Sequence, residues 1–438
     1  MVDLSAENKA LCFQDSVEKP ITVAIYDLVD DPDDIEGNTY YKIVKRITGE
    51  QIISESMQFN EGIVDSNTFE FGTFVLPQMT IQWAYEGERY LGKYCVVYQK
   101  IGTEYVVYMQ GFVEKEKFTD NRRTISATIS SILSQRLNAN YAYIYNQYTT
   151  GEEIVLSDFL QMVVTSGVFF CDVEKAKAKF PVLGLTKFKK RGNTTNGQPD
   201  TSDPNAVTEI LISDFLKYIG NIIGAHIKIA KHKFTDEQTF INTPQLYLTD
   251  EIEFVRIDNV IDMVYPSSTL YPSNTLYPLL KVTPVNPIYE LPYFINTNYD
   301  DLENTAYACY KVNIWYTTPS GNFAKVDTLW ANPAGAYDAT PAYNFDSTMC
   351  DNAFSDIYWS STWTEYRKYV RRNLCAYLLN SKYVVANLDY TYAPFLEPGD
   401  NIKVTTADGR TIIIPILNCS VSGINALRAT VSSEITSN

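Results

Sequence analysis

The sequence predicts a mainly β protein with α+β insertions, and two patterns along its 438 residues indicate this fold class. Between residues 69 and 133, apolar and aromatic residues repeat at the two-residue period of strands, and Gly or Asp-Asn turns separate the runs. The same pattern returns between 394 and 423 around an Asp-Gly hairpin turn, which joins 402–405 to 411–414. Three other segments, 157–168, 208–223 and 362–379, carry apolar residues at helical spacing.

The strands begin with 21–26 (ITVAIY), and those at 94–98 and 105–109 are apolar on both faces. A strand of this kind needs both faces covered, which is typical of a small barrel that packs against neighbours. Any antiparallel sandwich or barrel would give a similar pattern, so this alternative stays open.

The helices have recognisable ends. Ser157 is the expected N-cap of the first helix and Gly167 its end, while Gly224 ends the second helix before a strand at 226–230. The third helix presents an apolar side and a basic side. The basic side is a candidate contact for an acidic partner, with ordinary solvation as the alternative, and consists of Arg367, Lys368, Arg371 and Arg372.

Composition limits the classes of function. The formal charge of −16 disfavours binding to nucleic acid, because an acidic chain repels phosphates. Seven scattered cysteines without a CxxC pair indicate reduced thiols in a protein folded in a cytoplasm. The first residues lack the basic start and apolar core of a signal peptide, and no apolar run is long enough to span a membrane.

The sequence contains none of the common motifs of catalytic or metal-binding sites. The two histidines, His226 and His232, are six residues apart without a cysteine pair, and nucleotide-binding and hydrolase motifs are missing. We therefore predict no enzyme activity, no cofactor and no metal, although a pair of glycosidase carboxylates stays open. An acidic loop at 27–36 and a basic loop at 187–207 are expected to be solvated; calcium and phosphate or an acidic partner are the respective alternatives.

Five segments occur in a characteristic order: FEFGT (69–73), YLGK (90–93), GFVEKEKFTDNRRTISA (111–127), VTEILISDFLKYIGNIIGAHIKI (207–229) and PFLEPGDNIKVTTADGRTIIIPILNCSVSG (394–423). In this order they resemble the tail hub proteins of long-tailed bacteriophages, also called baseplate hub or tail-tip hub proteins. Residues 260–360 do not align with that family. The motif and turn positions are Gly72, Gly92, Gly111, Pro398, Gly399, Asp400, Asp408 and Gly409.

The resemblance implies two tube-type β-barrel domains plus peripheral α+β domains, with three copies forming a trimeric ring. On this basis we expect a first barrel domain at 1–135, an α+β domain at 136–250, a peripheral Tyr-rich domain at 251–384 and a second barrel domain at 385–438, which earlier strands could complete. Ring closure has to cover exposed strand edges and apolar faces. The candidate subunit-interface residues are Tyr94, Val96, Tyr98, Tyr105, Val107 and Met109.

The function that the resemblance implies is structural. The chain would terminate the tail tube, connect it to the tail tip and line the DNA exit channel without sequence-specific DNA binding. Its partners would be further copies of itself, the tail tube protein and other tail-tip or baseplate proteins, and its location the virion tail after synthesis in the host cytoplasm. One alternative is a receptor- or glycan-binding protein that uses Trp315, Trp330 or Trp359. A second alternative is a tail-associated cell-wall hydrolase.

Overall fold

The computed structural model describes most of the first 256 residues and separate segments of the remainder. The described residues are 4–12, 14, 20–30, 39–53, 56–64, 71–119, 122–167, 169–230, 240–242, 251–256, 260–264, 279–283, 288–290, 294–299, 311–317, 323–330, 343–346, 360–369, 382–384, 386–391, 395–405, 411–422, 428–431 and 434–436.

The chain is mainly β. Its strands up to residue 255 are β1 Ile21–Asp30, β2 Thr39–Ile47, β3 Gln58–Gly62, β4 Val75–Ala84, β5 Tyr94–Ile101, β6 Glu104–Thr119, β7 Thr124–Ser130, β8 Glu153–Val155, β9 Lys187–Lys189, β10 Thr194–Thr195, β11 Gln198–Pro199, β12 His226–Ala230, β13 Phe240–Asn242 and β14 Glu251–Val255. The later strands are β15 Val260–Val264, β16 Leu279–Thr283, β17 Ile288–Glu290, β18 Phe294–Tyr299, β19 Lys311–Thr317, β20 Phe323–Trp330, β21 Tyr343–Asp346, β22 Lys382–Val384, β23 Ala386–Thr391, β24 Asn401–Thr405, β25 Thr411–Pro415, β26 Asn418–Ser422, β27 Arg428–Val431 and β28 Glu434–Thr436.

The α-helices within the described residues are short and lie mostly between the strands of the middle of the chain. They are α1 Ala6–Leu11, α2 Ala142–Tyr145, α3 Leu156–Thr165, α4 Val173–Lys179, α5 Val182–Leu185, α6 Ile212–Ile223 and α7 Trp363–Tyr369. None of the helices that the structure describes has the length and apolar content to cross a membrane.

One antiparallel sheet contains strands from both ends of the chain. Within the described residues its order is β13-β2-β1-β5-β6-β7-β4-β3-β26-β27-β23-β18. The contact between the two ends is the pairing of β3 with β26, in which Gly62 faces Asn418 and Gln58 faces Ser422. Strands of the predicted fourth segment, 385–438, are therefore hydrogen-bonded to the predicted first segment, 1–135.

The pairing within the 69–133 segment differs in part from a run of consecutive hairpins. Strands β5, β6 and β7 form successive hairpins. Strand β4, however, pairs with β3 and β7 and does not pair with the following strand β5. The turn at Gly87, with φ of +97°, therefore does not close a hairpin. After it the chain continues to β5, which lies elsewhere in the sheet.

Gly111 permits the change of partner along the long strand β6, whose first half pairs with β5 and whose second half pairs with β7. A Cβ atom on Gly111 would lie 1.9 Å from the carbonyl oxygen of Ser130 on β7. The close backbone approach therefore requires glycine at this position.

The sheet curls, so strands that are not neighbours meet across its inner face. The rings of Phe59 on β3 and Tyr108 on β6 have centroids 6.4 Å apart, although β4 and β7 lie between these strands. Three strand spacings in a flat sheet would separate them by roughly 14 Å. The inner face encloses a hydrophobic core that includes Val23, Trp83 and Val97 together with Cys419 from the end of the chain.

A second unit, here called the middle unit, consists of α2 to α6 with β8, β9, β12 and β14. Its core contains Phe159, Phe188 and Phe215, whose rings meet edge to face. The strand at 226–230 is confirmed as β12, which pairs with β14, and Gly224 ends α6 with φ of +64° as predicted.

The starts of two helices differ from the prediction. Helix α3 begins at Leu156 with Val155 as N-cap, and Ser157 is buried inside its first turn. Helix α6 begins at Ile212 and not at 208, because residues 210 and 211 hydrogen-bond or bridge to Asn140 in extended conformation.

The basic segment that begins at Lys187 also differs from a solvated loop. Residues Lys187–Lys189 form β9 and pair with β8. Lys190 is buried, donates hydrogen bonds to the carbonyl oxygens of Arg191 and Gly192, and lies 4.8 Å from the ring centroid of Tyr145. A lysine in such surroundings serves the packing of the middle unit and is not available to a phosphate.

Helix α7 packs against the middle unit. The hydroxyl groups of Tyr366 and Tyr369 donate hydrogen bonds to the carbonyl oxygens of Ile222 and Ile223, at 3.2 and 2.6 Å. Arg256 donates to the hydroxyl oxygen of Tyr369 at 2.7 Å. These side chains satisfy carbonyl groups that the end of α6 leaves without partners inside the helix.

Candidate functional site

The glycine of the FGT motif joins the sheet to the middle unit. Gly72 has φ of +74°, and its N–H donates a 2.9 Å hydrogen bond to the carbonyl oxygen of Ala225. A Cβ atom on Gly72 would lie 2.3 Å from the carbonyl oxygen of Lys217, and one on Gly220 would lie 2.4 Å from the Cα atom of Gly72. The motif therefore provides backbone contact between the sheet and helix α6.

The YLGK motif is a tight turn at the start of β5. Gly92 has φ of +78°, and its N–H donates to the carbonyl oxygen of Val113 at 2.8 Å. No heavy atom would lie within 4 Å of a Cβ atom at this glycine, so the backbone conformation, and not crowding, favours glycine here.

The third motif is a turn of four residues, Glu397 to Asp400, here called the EPGD turn. Gly399 has φ of +95°, and its N–H donates to the carbonyl oxygen of Ile416 at 2.8 Å. The N–H of Ile416 in turn donates to the carbonyl oxygen of Asp400, also at 2.8 Å. The carboxylate of Asp400 accepts a 3.0 Å hydrogen bond from the N–H of Glu397, which closes the turn.

A buried ion pair connects the EPGD turn to the middle unit. The Nζ atom of Lys228, on β12, lies 2.5 Å from the Oε2 atom of Glu397 and 4.0 Å from that of Glu253 on β14. The side chains of Lys228 and Glu397 are only 7% and 1% exposed. Because charges so far from solvent are costly unless they are paired, the contact fixes the position of the turn against β12.

Burial perturbs the protonation of these groups. It would by itself lower the pKa of Lys228, but Glu397, Asp400 and Glu253 together raise that pKa above its ordinary value. Burial also raises the pKa of Asp400 to about 7; Lys228 opposes this effect and Glu397 adds to it. Lys228 therefore carries its positive charge at neutral pH. The carboxyl group of Asp400, in contrast, changes between its protonated and ionised forms near pH 7.

A cavity of about 180 Å³ adjoins the ion pair. Its wall includes Cys171, the charged residues Lys175, Lys179, Glu251 and Glu253, and the three residues of the PGD motif. Lys175 binds Glu253 at 2.5 Å, so the cavity wall contains paired charges of both signs.

The geometry does not match the carboxylate pair of a glycosidase. Such a pair has to reach a sugar from two sides, with the carboxyl groups open to the substrate. Here Glu397 is buried against Lys228, and Asp400 is buried within its own turn. Among the residues that the structure describes, no group of three or more His, Cys, Asp or Glu is arranged to hold a metal ion. The site is therefore a junction between two parts of the fold.

The structure places the other predicted residues apart from this junction. Tyr94, Val96, Tyr98, Val107 and Met109 are buried within the chain, and Tyr105 is half-buried. On α7, Lys368 is exposed and pairs with Glu365 at 2.6 Å, and Arg367 is half-buried. Trp315 lies on β19 and Trp330 ends β20. Arg371, Arg372, Asp408, Gly409, Trp359, His232 and most of the acidic loop lie outside the described residues.

Sequence reasoning missed Lys228, Glu253 and Glu397. The available signal was a lysine between two isoleucines in the strand 226–230, since a buried lysine needs an acidic partner. Nothing local identifies that partner, which lies 169 residues further along the chain.

Comparison with protein-family models and with curated proteins finds no match. Among solved structures, the chain is similar to a tail protein from Neisseria meningitidis, with 10% identity, coverage of 95% of this chain and 97% of the other, and a TM-score of 0.41. It is also similar to the prophage tail protein gp18 from Listeria monocytogenes, with 9% identity, coverage of 94% of each chain and a TM-score of 0.40. A third is the 43 kDa tail protein of prophage MuSo2 from Shewanella oneidensis, with 10% identity, coverage of 96% and 98%, and a TM-score of 0.38.

These neighbours are tail proteins, the class that the ordered motifs indicate. Because their identities are at most 10% and their TM-scores lie below 0.5, we base the functional proposal on the contacts of this chain's own motifs.

Proposed function

We propose that this chain is a structural protein of a bacteriophage tail, and specifically the hub that terminates the tail tube, connects it to the tail tip and lines the DNA exit channel. The observation that carries the proposal is the assembly of the hub-like motifs around one curled sheet. FGT, YLGK and GFV come from the first third of the chain and EPGD from its end, and the pairing of β3 with β26 brings these regions together.

In this proposal the curled sheet forms the tube-type barrels, and three copies close into a ring. Six barrels would then match a tube of sixfold symmetry. The ring needs contacts between copies, and the 1–135 region exposes large apolar side chains that suit this purpose: Leu28, Val44, Ile53 and Leu91. The side chains of the predicted interface strands β5 and β6 are mostly buried within one chain. In this proposal they pack beneath the exposed apolar residues and do not themselves contact the next copy.

The acidic net charge of −16 fits a channel through which DNA passes without binding. A hub of this kind needs no bond-making chemistry, and the buried carboxylates of the EPGD turn have a structural role in it. Its partners would be the tail tube protein and other tail-tip or baseplate proteins.

Light scattering of the purified chain at low micromolar concentration tests the ring. We expect a mass three times the 49.8 kDa of one chain, and negative-stain images should show a ring with a central channel. A protein that stays monomeric both alone and when mixed with its tail tube protein would contradict the proposal.

A further inference from the structure

The contact between the EPGD turn and the middle unit is made by charges that are buried together. Lys228 reaches Glu397 at 2.5 Å, and the Asp400 carboxylate lies in the same turn, where it accepts the N–H of Glu397 at 3.0 Å. The residues come from parts of the chain that are distant in sequence, so this contact depends on how two parts of the fold sit together.

Carboxylates outnumber ammonium groups around the ion pair. The titratable groups that face it are Lys228 on β12, Glu251 and Glu253 on β14, Lys175 and Lys179 on α4, Cys171 and Asp172 before α4, and Glu397 and Asp400 in the turn. Lys175 binds Glu253 at 2.5 Å. Lys228 binds Glu397 at 2.5 Å and is also the cation that most strongly lowers the pKa of Asp400.

Asp400 is the group in the turn whose charge changes near neutral pH. Burial raises its pKa to about 7. The carboxylate of Glu397 adds to this effect, whereas Lys228 and the hydrogen bond from the N–H of Glu397 oppose it. Lys228 keeps its proton, because the surrounding carboxylates raise its pKa despite burial. Below pH 7 the junction therefore holds one balanced pair and a neutral acid, and above pH 7 it holds one excess negative charge.

We propose that Lys228, Glu397 and Asp400 form a pH-dependent latch between the middle unit and the EPGD turn, closed while Asp400 is protonated and loosened when Asp400 is ionised. The second buried carboxylate then competes for the ammonium group that already binds Glu397. The adjoining cavity of about 180 Å³ gives water and side chains room to enter as the contact loosens. This inference concerns the chain itself and does not depend on the proposed role in a tail.

The direction of the pH effect follows from proton linkage. In the opened state Asp400 returns to its ordinary pKa of 3.8, whereas in the closed state its pKa is about 7, so the closed state binds the proton more tightly. Closure is favoured at low pH and is lost as the pH rises from 3.8 to 7. Between pH 5 and pH 7 the opening equilibrium constant should rise roughly 50-fold, and above pH 8 it should level off.

Hydrogen–deuterium exchange of the full chain tests the latch. Exchange would be followed at pH 5, 6, 7 and 8 in peptides that contain β12, β14 and the EPGD turn, after correction for the pH dependence of intrinsic exchange. The amides of Gly399 and Ile416 are the most direct reporters, because their hydrogen bonds hold the turn in place. In the wild type we expect opening to increase by roughly 50-fold between pH 5 and pH 7.

The variant Asp400→Asn removes the titration while keeping the size of the side chain. At pH 8 its junction peptides should exchange roughly a thousand-fold more slowly than those of the wild type, and at pH 5 the difference should narrow to roughly 15-fold. Asp200→Asn, in the 192–207 loop, is the matched control and should keep the wild-type profile. If Asp400→Asn fails to fold, the pH dependence of junction exchange in the wild type tests the latch by itself.

Two results would overturn the proposal. One is a wild-type junction whose corrected exchange is the same at pH 5 and pH 8. The other is faster junction exchange in Asp400→Asn than in the wild type at pH 8, which would mean that the ionised carboxylate holds the junction closed.

Discussion

Replacing Glu397 by Gln should destabilise the junction between the EPGD turn and the middle unit by about 3 kcal/mol at pH 7. The substitution leaves the ammonium group of Lys228 without the carboxylate that lies 2.5 Å away, in a position where the lysine side chain is only 7% exposed. Removing one partner of a buried pair costs roughly 3–5 kcal/mol, because the remaining charge is uncompensated.

The lower end of that range applies for two reasons. Glu253 stays 4.0 Å from Lys228, although it is shared with Lys175. Glu397 is also one of the groups that raise the pKa of Asp400, so its loss lets Asp400 ionise more readily and partly replace the missing charge. A change of about 3 kcal/mol corresponds to an opening constant roughly 160-fold larger.

This change can be measured by hydrogen exchange at pH 7 in peptides that contain β12, β14 and the EPGD turn. A local measurement is needed because a chain with several units need not unfold in one step. Glu86→Gln is the matched control. It makes the same substitution at a 2.6 Å contact with Lys45, but the side chains of that pair are 32% and 47% exposed and lie away from the junction, so the junction peptides should be unaffected.

The double variant Lys228→Met/Glu397→Leu tests the cause. It removes both charges and keeps apolar bulk, so its junction should exchange close to the wild-type rate. Two outcomes would refute the reasoning: a single variant within twofold of the wild type, or a double variant that exchanges as fast as the single one. The second outcome would assign the loss to packing and not to an uncompensated charge.

Three further substitutions address the sheet, the docking of α7 and the assembly. Gly111→Ala should lower stability by about 2 kcal/mol or more, since its Cβ atom meets a neighbouring backbone at 1.9 Å, and should lower the melting temperature well below that of Gly49→Ala, where the nearest atom is 4.0 Å away. Tyr369→Phe should speed exchange in 360–369 by an amount equivalent to about 1–2 kcal/mol, because the hydroxyl group both donates and accepts a hydrogen bond. Val44→Glu, at a half-exposed position of the 1–135 region, should convert the proposed trimer to monomer in light scattering, whereas Leu185→Glu in the middle unit should not; equal masses would place the subunit contact elsewhere.

Local patterns predicted local structure well where no distant partner interferes. Strand 226–230 and the helix end at Gly224 are confirmed to the residue, because alternation and a left-handed glycine act within a few residues. The strands at 402–405 and 411–414 are likewise confirmed as a pair. The predicted helix start at 208 is wrong, because pairing with Asn140 holds the preceding residues extended.

Contacts between distant segments could not be predicted in the same way. The sequence pattern shows that β4 and β5 are strands, but it does not reveal that β4 pairs with β7 instead of β5. Lys190 likewise belongs to a basic run in sequence and to a buried environment in the fold. The choice of strand partner and the burial of a charge depend on the complete arrangement of units, which short-range periodicity does not encode.

The EPGD junction is held by an ion pair, although an apolar contact could hold it equally firmly. The charges therefore point to a property other than stability. Apolar residues of similar volume usually hold a buried contact as firmly as an ion pair does, without the cost of removing charges from water. An apolar contact, however, exposes hydrophobic surface when it opens, whereas charged groups regain their hydration. The FGT contact between Gly72 and Gly220 is made by backbone atoms, so ionisation of Asp400 leaves it in place. Loosening at the EPGD turn can therefore free one side of the middle unit while the FGT contact keeps the unit attached to the sheet. One contact responds to pH and the other does not, and this is the physical basis of a reversible latch.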